Sequence, residues 1–215
     1  MYLKYGIDFL GKLNGIFSLA IYDARSRKTF IARDGQGVKP LYYSSTKLGF
    51  IFASEMKALL QEKSVDREIN ADAVAEYLTF LWAPSPSTML KRVHKLEQGH
   101  YLTIFDNQIL GKDEFYDYPH TCQHSKFTEG EAIEETRRCL EQAVRSQLVS
   151  DVPMGAFLSG GLDSSSIVAL AKKIDPDIDL PCFTIDFKDD RLKQEGMAED
   201  LPYAVQVASH LGLPL

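Results

Sequence analysis

The stretch Phe157-Leu158-Ser159-Gly160-Gly161-Leu162-Asp163-Ser164-Ser165 decides the fold of the C-terminal half. Residues 152–158 read as an apolar strand, Ser-Gly-Gly breaks it, and Ile167, Leu170 and Ile174 recur at helical spacing from about Asp163 onward. Where a strand hands over to a helix in this way, successive backbone amides point at one spot and the helix dipole adds partial positive charge there. Gly160 and Gly161 carry no side chains, so an anion can approach the main chain closely. Ser159, Ser164 and Ser165 add hydroxyl donors. Together they form a phosphate cradle at the carboxyl edge of a parallel strand, where open α/β sheets place their ligands. Asp163 alone would repel phosphate; it fits beside a divalent cation that bridges carboxylate and phosphate oxygens. No lysine follows the glycines, so this is not GxxxxGK[ST], and it does not match GxGxxG.

Working outward, Thr128 and Glu131 have capping-box spacing, and the helix they open carries Ile133, Leu140, Val144 and Leu148. A second strand is expected over 182–187. A last helix begins near Asp200, with Ala204, Val207, Ala208 and Leu211 inward. The order helix–strand–helix–strand–helix implies a parallel, doubly wound sheet, of which two strands form only part. Residues 113–127, rich in Tyr, His, Pro and Asp, read as an interdomain linker.

The N-terminal half has a different period. Residues 15–22 are apolar on both faces, as in a strand covered on both sides, and 29–32 read as a hairpin partner. Short strands follow at 40–43 and 50–53, then a helix over 55–61 capped by Ser54. Asn70 caps another helix with Val74, Tyr77, Leu78 and Leu81 at helical spacing. Residues 83–87 break the chain, and 99–105 resume as a strand ended by an Asp106-Asn107 turn.

The 215 residues suit one large or two small domains. Twenty-four Lys and Arg against 30 Asp and Glu leave a net charge of −6, which argues against nucleic acid as partner. No apolar run approaches the roughly 20 residues of a membrane span, and the first residues lack the core of a secretory signal. Cys122, Cys139 and Cys182 form no CxxC pair and read as thiols of a reducing cytoplasm. His94, His100, His120, His124 and His210 show no ligand spacing. The Glu134-Glu135 and Arg137-Arg138 runs read as a solvated helix face. Arg33 and Asp34 read as a buried ion pair bracing strands.

Ser159 to Ser165 resembles the pyrophosphate loop of the ATP-pyrophosphatase family, and with Asp151-Val152-Pro153 ahead of it is similar to glutamine-hydrolysing asparagine synthetases. The N-terminal half resembles the later part of that family's glutaminase domain in three blocks: residues 15–23, Arg33-Asp34 with 37–43, and 53–59. Leu96-Glu97-Gln98-Gly99-His100-Tyr101 resembles the segment closing it, although a proline is usual where Gln98 stands. The resemblance implies an α/β (mixed α+β) chain. Residues 1–115 would be part of an αββα glutaminase domain of the N-terminal nucleophile type, 116–127 a linker, and 128–215 part of a doubly wound ATP-pyrophosphatase domain. It implies ATP and Mg2+ as cofactors, ATP, aspartate and glutamine as small-molecule partners, a cytoplasmic location and a candidate homodimer. ATP would adenylate the aspartate side chain, and ammonia from glutamine would displace AMP; the alternatives are a related amidotransferase acting on another carboxylate and a nucleotide-binding remnant without catalysis. Carried over residue by residue, Leu158, Ser159, Gly160, Gly161, Leu162, Asp163, Ser164, Ser165 and Ile185 would bind ATP, with Asp163 meeting magnesium through the pyrophosphate. The family's glutaminase cysteine, oxyanion pair and glutamine-binding residues have no counterpart here. The chain therefore reads as an interior piece, inactive alone, with no catalytic residue of its own.

Overall fold

The computed structural model describes residues 1–118, 127–186 and 200–215. Most of the expected linker, with Cys122, His120 and His124, lies outside the described residues, as does Phe187. Two compact units, Met1–Cys122 and Gln123–Leu215, each close a core of their own.

In the first unit, α1 (Tyr2–Tyr5) and a 3-10 segment (Gly6–Lys12) precede two antiparallel sheets. One sheet has the order β1 (Ser18–Asp23), β2 (Lys28–Arg33), β6 (His100–Phe105), β7 (Gln108–Glu114). The other runs β4 (Gly49–Ala53), β3 (Tyr42–Thr46), β5 (His94–Lys95). Side-chain alternation along the strands sorts the layers. Ile31, Leu102 and Ile104 face inward and meet Tyr43 and Phe50 of the second sheet and Leu41 just before it. Ala32, Leu19, Ile21 and Tyr101 point the other way, under Phe9 and Leu10 of the 3-10 segment. Beyond the second sheet, Met56 and Leu59 of α2 (Met56–Leu59) and Leu60 just after it close a third cluster with Ile51, Val65 and Val93. The layers of this unit thus follow the order helix, sheet, sheet, helix.

Several local expectations need correction. β1 is not covered on both sides: it is an edge strand whose Ala20 and Tyr22 are exposed. Alternation, not continuous apolarity, governs it. Ser54 does not cap α2, which begins after Glu55 without a side-chain cap. Asn70 does cap α3 (Ala71–Phe80), its side chain accepting the Ala73 N–H at 3.4 Å. β7 was not expected. It pairs with β6 through a hairpin whose Asp106 and Asn107 both have positive φ, 48° and 60°, as a type I′ turn requires.

In the second unit, α4 (Glu129–Gln147) opens with the capping box: Glu131 N–H donates to Thr128 Oγ1, and Thr128 N–H donates to Glu131 Oε2 at 2.8 Å. Glu134–Arg137 and Glu135–Arg138 pairs line its solvated face. β8 (Ala156–Phe157) and β9 (Cys182–Phe183) form the parallel pair, joined by α5 (Leu162–Ile174), and α6 (Asp200–Leu211) follows. The strands are far shorter than the expected 152–158 and 182–187. Pro153 has no N–H to donate, and Val152 is exposed. Leu158 and Cys182 meet Val144, Val168, Ala171, Ala204 and Ala208 in one core. On the opposite face, Phe157 is 82% exposed and Phe183 54%.

Candidate functional site

The glycine loop sits between β8 and α5. Leu158, buried, continues the parallel ladder by donating its N–H to Phe183 O at 2.8 Å. Past it the chain turns through Gly160, at φ +79°, a conformation L side chains rarely adopt. A second constraint acts at the same atom. A Cβ on Gly160 would stand 2.4 Å from Tyr203 Cβ and 2.6 Å from Ala204 N, so α6 lies directly on the loop there. This contact has no signal in the local motif, since Tyr203 is about 40 residues away. Gly161 differs. It is the N-cap of α5, at φ −70° and ψ 166°, and a Cβ there would make ordinary contact with Ser159 Oγ at 3.4 Å.

Hydrogen bonds gather the hydroxyls. Ser159 Oγ lies 3.1 Å from Ser164 Oγ and accepts the Gly161 N–H at 3.3 Å, while Ser164 Oγ donates to Gly161 O at 3.3 Å. Ser165 N–H donates to Gly161 O at 3.0 Å, the first turn bond of α5. Ser165 Oγ is buried with no partner among the described residues. No side chain caps the helix start, so the amides of its first turn face no intramolecular acceptor from a cap. Leu162 and Asp163 are exposed on that turn. Ser159, Gly161, Ser164 and Ser165 are thus brought together around the helix start. Ile185, two residues beyond β9, is 67% exposed. Among the described residues, no group of three His, Cys, Asp or Glu is placed to hold a metal. A cation at Asp163 would therefore need ligand oxygens beyond this carboxylate.

Arg33 and Asp34 are close but form no ion pair with each other among the described residues. Asp34 is 1% exposed, and its carboxylate accepts N–H groups of Phe17, Gln36, Val38 and Lys39 at 3.0–3.3 Å. Burial pushes its pKa up, but those four backbone bonds outweigh it and hold the group below the usual carboxylate range. Arg33 instead donates to carbonyls of Gly37, Lys39 and Leu96. The expected pair is two separate backbone clasps, because each charged head finds more bonds in main chain than in its neighbour.

Among the described residues, no helix is long and apolar enough to cross a membrane. Residues 1–116 match the family model of the glutamine amidotransferase domain, and residues 135–215 match that of asparagine synthase. Asparagine synthetase (glutamine-hydrolyzing) 1 of Bacillus subtilis is 35% identical over 213 residues, 99% of this chain and 32% of that protein. Asparagine synthetase (glutamine-hydrolyzing) 3 of the same organism is 33% identical over 171 residues, 79% of this chain and 27% of its own. Amidase chyE of Penicillium rubens is 28% identical over 233 residues, 100% of this chain and 33% of that protein. The chain spans about a third of the length of the curated relatives it matches. With the amidotransferase match over more than half of its residues and the synthase match following in order, the chain belongs to the glutamine-hydrolysing asparagine synthetase family.

Proposed function

We propose that this chain carries the nucleotide-holding part of a glutamine-dependent amide synthesis: ATP adenylates the side-chain carboxylate of aspartate, and glutamine-derived ammonia displaces AMP. In balanced form, a carboxylate oxygen attacks the α-phosphorus and the α–β oxygen bridge breaks to release pyrophosphate. Ammonia then attacks the acyl carbon and gives up a proton to water, and AMP leaves with the carboxylate oxygen. The observation that carries this reading is the uncapped start of α5 beside the paired Ser159 and Ser164 hydroxyls, at the carboxyl end of parallel β8. First-turn amides and hydroxyls there would bind the leaving diphosphate, and the dipole of the 13-residue helix favours the charge that develops on it. Leu158 and Ile185 would offer main chain and apolar surface to the nucleotide. Asp163 is the residue that would hold magnesium together with phosphate oxygens, the metal supplying charge neutralisation.

ATP titration by calorimetry, with and without magnesium, tests this. Wild type should bind more tightly with the metal, Asp163→Ala should remove that difference, and Ser159→Ala should weaken both about tenfold, as loss of one hydrogen bond to a charged group does. Equal affinity with and without magnesium in wild type would end the role given to Asp163. A second reading keeps the same glycine loop and the same adenylation step with another carboxylate as acceptor. Measuring which carboxylate drives conversion of ATP to AMP separates the two.

A further inference from the structure

In the first unit, Arg33, Gln36, Trp82, Ser85, Lys95 and Gln98 line a cleft of about 460 Å3, within the range of small-molecule sites. Its charge is unbalanced. Arg33 Nε donates to Lys39 O at 2.8 Å, Nη1 to Leu96 O at 2.7 Å and Nη2 to Gly37 O at 2.5 Å. Those acceptors are neutral, so the guanidinium keeps its charge and two of its five N–H donors. Lys95 Nζ donates to Ala83 O, also neutral, and lies 6.0 Å from the centre of the Trp82 ring. No carboxylate lines the cleft among the described residues. The acid acting on Arg33 is Asp34, whose oxygens are filled by four main-chain N–H groups. Two cations against one neighbouring carboxylate leave a positive charge in excess. Burial lowers the Lys95 pKa, and the Arg33 charge lowers it further, as expected of cations gathered without a counter-ion.

Two more features point to an occupant. Ser85 Oγ is buried and has no hydrogen-bond partner among the described residues, an unmet requirement that a ligand oxygen would satisfy. Trp82, 58% exposed, presents a flat aromatic face with the Lys95 ammonium over it, far enough off for a planar ring to lie between them. A simple inorganic anion would leave the indole uncovered, and a neutral ring would leave the charge unanswered. We propose that this cleft binds a nucleoside monophosphate. Its phosphate lies between Lys95 and Arg33 with the Ser85 hydroxyl donating to it, its base stacks on Trp82, and its sugar hydroxyls reach the Gln36 and Gln98 amides. The site is separate from the glycine loop and does not depend on the function proposed for it.

Trp82 is the only tryptophan in the chain, so its fluorescence reports on this cleft. AMP should give a saturable change, and adenosine or inorganic phosphate should bind at least about tenfold more weakly, each lacking one half of the contacts. Lys95→Gln should raise the AMP dissociation constant about tenfold, the worth of one charge-assisted hydrogen bond. Ser85→Ala should weaken binding too, and carries the test if Lys95→Gln does not fold. Ser159→Ala should leave the titration unchanged. The proposal is overturned by the absence of saturation up to about 10 mM AMP, equal affinity for phosphate alone, or indifference to folded Lys95 and Ser85 variants. Loss of the signal in Ser159→Ala would overturn it as well, by assigning the signal to the glycine loop.

Discussion

One hydrogen atom at Gly160 separates the loop from the backbone of α6. Replacing it should be costly twice, once for the positive φ and once for the 2.4 Å approach to Tyr203. Gly160→Ala is expected to destabilise the second unit by about 3 kcal/mol, while Gly161→Ala, in an allowed conformation at an N-cap, should cost only about 1 kcal/mol. Urea unfolding followed by circular dichroism distinguishes the two. Asp34 sets a different dependence. Its folded pKa is depressed, as is that of Asp23, held at about 2 by hydrogen bonds from Arg25. The stability they confer is therefore complete above the unfolded carboxylate range near about pH 4 and is lost as pH falls through the folded values. Melting temperature should ease downward below about pH 6.5, where burial holds His94 neutral while the unfolded chain takes up a proton, and decline more steeply below that carboxylate range. Asp34→Asn should show a lower plateau and a shallower decline; an identical acid limb in that variant would contradict the role given to the carboxylate.

Elements announced by a terminus were legible in sequence. Thr128 and Glu131 gave the start of α4, and Asn70 that of α3, because a cap is a local bond between near neighbours. Thr128→Ala should accordingly destabilise the second unit by about 1 kcal/mol in the same unfolding experiment, with little change in the first. Strand extent was poorly legible. Residues 152–158 look uniformly apolar, yet the paired strand holds only Ala156 and Phe157, with Leu158 adding one bond beyond them, since pairing depends on where β9 lies rather than on β8 alone. β7 escaped notice because its Ile109 and Leu110 are both exposed at a sheet edge, leaving no alternation to read. In α5, Ile167, Val168, Leu170 and Ala171 are all apolar, so the buried stripe could be phased two ways; the structure buries Val168 and Ala171 and exposes Ile167. The Ser159–Ser164 cluster follows from residues five apart and was legible. The seat of Tyr203 on Gly160 and the cleft beneath Trp82 join distant segments and were not.

Across the molecule, each unit buries its own core but leaves apolar surface in water. Phe157 and Phe183 stand opposite one another across the parallel pair, on the face away from the core shared by α4, α5 and α6. Exposed aromatic side chains on a short, open-edged sheet favour association between molecules. Phe157→Thr with Phe183→Thr keeps β-branched or aromatic strand preference while removing that surface. It should raise the concentration at which light scattering appears without lowering the melting temperature; unchanged scattering would mean this face is not the adhesive one.

The Arg33 side chain leaves the end of β2 and grips oxygens on either side of β3 and β5, the chain before one strand and after the other. It works as a rivet between the two sheets while its formal charge stays unspent. Lysine in its place would preserve the charge but, as a point donor on a flexible stem, could not hold three separated carbonyls at once. The two duties therefore come apart under mutation: one is a matter of shape, the other of sign, and only arginine meets both at this position.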